Sequence, residues 1–185
     1  MLEQKSIIKK RDLLVSMNNV YRNGACLAFQ YDDGQWGLII TVGCEYLPQR
    51  TIFSFAQTDI KQQTMPTMDD VYTAHLLDDD FNSSKRWHRK LSDVRLGNAC
   101  KKKEDIAQIK QYNELYFSVI GHLPQWNDST SIITGIGYQP YWKKTYEEFV
   151  CVITEHFLHE FENRKRTTET VSEVNSIFSE SKTKD

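Results

Sequence analysis

The chain has 185 residues, 39% hydrophobic and 12% aromatic, and 23 Lys and Arg against 25 Asp and Glu leave a formal charge of −2. That length suits one ordinary domain, or a compact domain with an appendage, with enough apolar residues for a core. The balance of charge argues against a general polyanion binder, whose domain is strongly basic, while leaving room for a local basic patch.

The elements follow in chain order. Residues 5–18 read as a short amphipathic helix, with Ile7, Ile8, Leu13, Leu14 and Met17 near helical spacing and Lys9, Lys10 and Arg11 opposite. Asn18, Asn19, Asn23 and Gly24 break it. The period then changes. Ala25 to Tyr31 and Trp36 to Val42 are strand patterns joined by Asp32-Asp33-Gly34, a hairpin signal because glycine reaches positive φ without a Cβ clash. Gly43 to Gln49 reads as a loop and Thr51 to Ala56 as a third strand. Together these strands predict a β-meander or partial barrel.

Pro66 interrupts, and Thr67 is an N-cap candidate with Asp69 and Asp70 in the first turn, where carboxylates meet the positive end of the helix dipole. That helix would carry Met68, Val71 and Tyr72, then Leu76 or Leu77. Residues 78–103 are polar and turn-rich, anchored by Trp87 and Leu91. Residues 104–120 fit a helix, or a helix ending near Asn113 followed by a strand from Leu115 to Ile120. Ser131 to Tyr138 reads as a strand, and residues 144–165 as a helix burying Tyr146, Phe149, Val150, Ile153, Phe157 and Phe161. The expected organisation is a single α+β domain over 1–166, β-rich at about 20–60 and helix-rich at about 67–166. Residues 167–185 form a polar tail in which Val171, Val174, Ile177 and Phe178 keep the spacing of a short docked helix.

Cys26, Cys44, Cys100 and Cys151 make no C-x-x-C pair, so neither a zinc knuckle nor a thioredoxin-type motif is present. The N-terminal segment mixes charge with apolar residues and lacks the h-region of a signal peptide, and no window approaches the ~18 apolar residues of a membrane span. The expectation is a cytoplasmic protein with reduced, mostly buried thiols.

Candidate chemistry is sparse. His156 and His159 could share a helix face with Glu160 near them, but the order does not match H-E-x-x-H, and the expected reading is a solvated, charged face. Glu45 and the triplet Asp59-Ile60-Lys61 have the composition of a Mg²⁺-dependent nucleic-acid-processing site, two carboxylates for the metal and a lysine to position water. The same acidic-x-Lys spacing recurs at Glu3-Gln4-Lys5 and Glu180-Ser181-Lys182, which shows how cheap it is. No phosphate-binding glycine motif or nucleophile elbow occurs. Lys85 to Lys90, which interleaves Trp87 with Arg89 and other cations, and Lys101 to Lys103 allow contact with nucleic acid or a phosphoprotein.

The stretch from Asn23 to Val42 resembles the opening hairpin of one kind of bacterial immunity protein, which neutralises toxin domains of polymorphic and contact-dependent systems. A glycine (Gly24) begins an alternating strand, an acidic-Gly turn follows (Asp33-Gly34), and an aromatic-Gly pair (Trp36-Gly37) opens the second strand. Thr51 to Phe55 and Pro66 to Val71 resemble the continuation into a Pro-x-x-acidic helix start, so the resemblance covers about residues 23–80. It departs at Ala25, where the pattern carries an acidic residue. The resemblance implies an SH3-like barrel and a cofactor-free inhibitor that binds and occludes a cognate toxin. Aromatics and arginines would supply its hot spots, here Trp36, Trp87, Arg89, Trp126, Tyr138, Tyr141 and Trp142. Asp78, Asp79 and Asp80 would mimic phosphate before a nuclease toxin.

Overall fold

A computed structural model describes residues 20, 22–47, 50–78, 96–97, 103–126, 139–140 and 145–181. The expected helix over 5–18 and strand over 131–138 lie outside the described residues, as does most of the polar stretch 78–103. Within them the fold is α+β. Strands β1 (Ala25–Gln30), β2 (Trp36–Leu47) and β3 (Arg50–Gln62) lead into helix α1 (Met68–Thr73) and β4 (His75–Asp78). After the two-residue β5 (Leu96–Gly97) come α2 (Lys103–Tyr116), β6 (Ser118–His122) and the two-residue β7 (Gln139–Pro140). The chain continues through α3 (Tyr146–Asn163), β8 (Lys165–Thr170) and α4 (Val171–Ser181). Six strands form one antiparallel sheet in the order β6-β1-β2-β3-β4-β8, and β5 pairs with β7 in parallel.

The meander expected from the N-terminal third is present, and its first turn forms for local reasons. Gly34 takes φ +78° and donates its N–H to the Tyr31 carbonyl at 2.9 Å, while Asp33 Oδ1 accepts from Gln35 N at 3.0 Å. That geometry brings Gln30 opposite Trp36 and fixes the register through Cys26 opposite Ile40. Register shifts between Gly37 and Ile39 and between Thr41 and Gly43 bend the β2–β3 ladder.

These strands run longer than their apolar cores suggest. The expected loop over 43–49 is replaced by strand as far as Leu47, and β3 continues past Ala56 to Gln62. Polar residues sit inside the sheet where their side-chain donors find acceptors. Gln57 and Thr58 are fully buried. Gln57 Nε2 donates to Tyr31 Oη at 3.2 Å and to the Phe157 carbonyl at 2.9 Å, and Thr58 Oγ1 donates to the Leu38 carbonyl at 2.9 Å.

Helix α1 starts where the sequence places it. Thr67 N donates to Asp70 Oδ2 at 2.7 Å and Asp70 N to Thr67 Oγ1 at 3.4 Å, a reciprocal capping box. The helix stops sooner than expected. Ala74 is extended, with ψ 152°, and Leu76 and Leu77 belong to β4. Likewise α2 ends at Tyr116 and β6 follows from Ser118, so residues 117–120 are not helical. The segment 165–181 supplies β8 and α4. Val171 and Val174 are buried, and the Val171 N–H donates to the Ala74 carbonyl at 2.8 Å.

Alternation along β1 to β3 divides the core between the two sheet faces. On one face Phe29, Phe55 and Phe117 surround Phe157 of α3, with ring centroids 4.3, 5.2 and 6.1 Å from it. Tyr112 and Phe149 extend this layer with centroids 5.5 Å apart. On the other face Met68 of α1 covers Gly121 of β6, where an added Cβ would lie 2.0 Å from the methionine sulfur. Among the described residues, no helix is long and apolar enough to cross a membrane.

Candidate functional site

Trp36 opens β2 half-buried, with Gln30 and Gln62 as its register neighbours. It lies beside the exposed hairpin tip of Asp32, Asp33 and Gly34. Lys61 closes that tip. Its Nζ lies 2.9 Å from Asp33 Oδ2 and 5.2 Å from the centre of the Tyr31 ring. The Lys61 hydrogen bond, then the Gln35 N–H, holds the Asp33 carboxyl below its ordinary range.

Asp59, two residues earlier on β3, serves different partners. Its Oδ1 accepts the His75 N–H at 2.8 Å and its Oδ2 meets Arg166 Nε at 2.6 Å. The triplet is therefore inside the strand instead of beyond it, and its carboxylate pins β4 and β8 to the sheet. A metal at Asp59 would displace a guanidinium and orphan a backbone donor. Glu45 lies in β2 opposite Ile52, and its side chain is outside the described residues. Asp59→Ala is expected to lower unfolding stability by about 1–3 kcal/mol, because the His75 N–H loses its acceptor. Asp59→Asn keeps a carbonyl oxygen there and should recover part of the loss in urea titrations. Unchanged stability combined with loss of Mg²⁺-dependent cleavage would instead favour the nuclease reading.

The two histidines of α3 have different environments. His156 is partly buried, and burial, then the positive charges of Arg164 and His159, push its pKa down to about 4. His159 is exposed, with Nδ1 3.2 Å from Asn163 Nδ2. Glu160, the third member of the sequence cluster, is buried and ion-paired with Arg164 Nε. No group of three or more His, Cys, Asp and Glu side chains among the described residues could hold a metal.

The His156 environment carries a pH dependence. Unfolded His156 binds a proton near pH 6.5, whereas folded His156 resists it down to about pH 4. Stability present above the unfolded value is therefore lost as pH falls through that window, by on the order of 3 kcal/mol. Chemical denaturation at successive pH values should show this slope in the parent chain, and His156→Gln should flatten it. An equal slope in both would refute the assignment.

No protein-family model, curated protein or solved structure matches the chain. The geometry must carry the reading.

Trp126 corrects an expectation. It is fully buried at the end of the 124–126 turn, with its Cβ 3.2 Å from where a side chain on Gly24 would begin, so it belongs to the core and cannot meet a partner. Asp78 contributes backbone to β4 opposite Lys165, and its side chain is outside the described residues. Asp79, Asp80, Trp87, Arg89, Tyr138, Tyr141 and Trp142 lie outside the described residues entirely. The thiols divide. Cys26 is buried, which pushes its pKa up to about 12 and leaves it inert, whereas Cys151 is exposed on α3.

Sequence reasoning missed the polar ties across the core. Tyr116 Oη donates to the Gln30 carbonyl at 3.0 Å and lies 2.9 Å from Thr154 Oγ1, joining α2, the hairpin and α3. Its only advance signal was an aromatic in an amphipathic stripe, which does not distinguish a tie from simple packing. The placed polar groups hold elements together, while Trp36 and the adjoining tip present a surface.

Proposed function

We propose that this chain is a non-catalytic inhibitor of the immunity kind, which binds and occludes a cognate bacterial toxin domain in the cytoplasm. The observation that carries the reading is the stereochemical role of the residues in the resembling hairpin. Gly24 takes φ +82°, Gly34 takes φ +78°, and a Cβ on Gly37 would lie 2.4 Å from the Phe29 ring. The helix start at Pro66-Thr67 closes into a capping box with Asp70. The same residues that carry the resemblance thus shape one hairpin and its continuation. Ala25, the point of departure, is buried and suits a small apolar side chain.

In this reading Trp36 supplies a half-buried aromatic beside a charged tip, the chemistry of a hot spot with a polar rim. Asp78, Asp79, Asp80, Trp87, Arg89, Tyr141 and Trp142 remain the proposed contacts, and Trp126 leaves the set. The test is co-expression of the full chain with the toxin encoded beside its gene. Growth should be restored, and an inactivated toxin should co-elute with the chain from a sizing column. Separate elution with undiminished toxicity would overturn the proposal.

A further inference from the structure

No further inference is drawn: the strongest candidate, the outer edge of β6, where the uncharged and partly buried Val119 and Ile120 end the six-stranded sheet among the described residues, carries nothing because nothing in the structure shows what covers it.

Discussion

Replacing Gly24 with alanine is expected to lower the unfolding free energy by about 3 kcal/mol or more, enough to unfold much of the population of a marginal domain. Two costs coincide at this residue. Its φ of +82° is disfavoured for any side chain, and a Cβ built there would lie 2.1 Å from the carbonyl oxygen of Leu123. That oxygen belongs to backbone and has little freedom to yield. Gly24 accepts the Leu123 N–H at 2.8 Å and donates its own N–H to the Thr41 carbonyl at 2.7 Å, so moving it disturbs two connections at once.

Gly34 is the control. Its φ of +78° is almost the same, but nothing lies within 4 Å of its would-be Cβ, so Gly34→Ala carries the dihedral cost alone, about 1–2 kcal/mol. Thermal and urea unfolding of the two variants separates backbone strain from collision. Equal destabilisation would mean that the approach of Leu123 to Gly24 does not contribute.

The contrast also explains which parts of the fold were legible. The first hairpin depends on residues within a few positions of each other: a glycine able to turn, an Asp that caps the turn, and alternating apolar residues on either side. All of that is written locally. The ends of the strands were not, because Gln57 and Thr58 resemble the start of a loop until their partners are known. Those partners, Tyr31, Leu38 and Phe157, come from the hairpin turn, β2 and a helix 100 residues further on. Propensity favoured a loop, and tertiary hydrogen bonding prevailed.

The candidate site was legible to a smaller degree, for the same reason. An acid two residues before a lysine predicts nothing until the surrounding donors are placed. Around Asp59 those donors are a β4 amide and a β8 guanidinium, which make the carboxylate a fastening. Trp126 reads as a contact because no helix or strand pattern in the sequence requires it for the core. It belongs instead to the core cluster, and the backbone of Gly24, far earlier in the chain, passes close to its Cβ. Residues 165–170 show a third version. Lys-Arg-Thr-Thr-Glu-Thr has little apolar content, yet it forms an edge strand. Thr167 stands in for regular pairing there, its Oγ1 accepting from Leu76 N at 3.2 Å and its carbonyl lying 2.9 Å from His75 Nδ1. An irregular, charged edge of this kind resists pairing with other chains.

The aromatic layer gives the second large effect. Phe157→Ala is expected to cost about 3–5 kcal/mol, the range for deleting a buried aromatic side chain and leaving a cavity. Phe157 is fully buried, and it is the residue on which three others converge: Phe29 from β1, Phe55 from β3 and Phe117 from the α2–β6 junction. No single neighbour can move in to fill the space, because each is held by a different element. Phe157→Leu keeps most of the volume and should cost appreciably less. The variants also test how the sheet is joined to α3. The Phe157 carbonyl accepts from Gln57 Nε2 regardless of the side chain, so Gln57→Leu combined with Phe157→Ala should depart from additivity if the hydrogen bond and the ring hold the same contact. Simple addition of the two losses, measured from urea midpoints, would show that α3 is anchored by independent contacts instead of one shared layer.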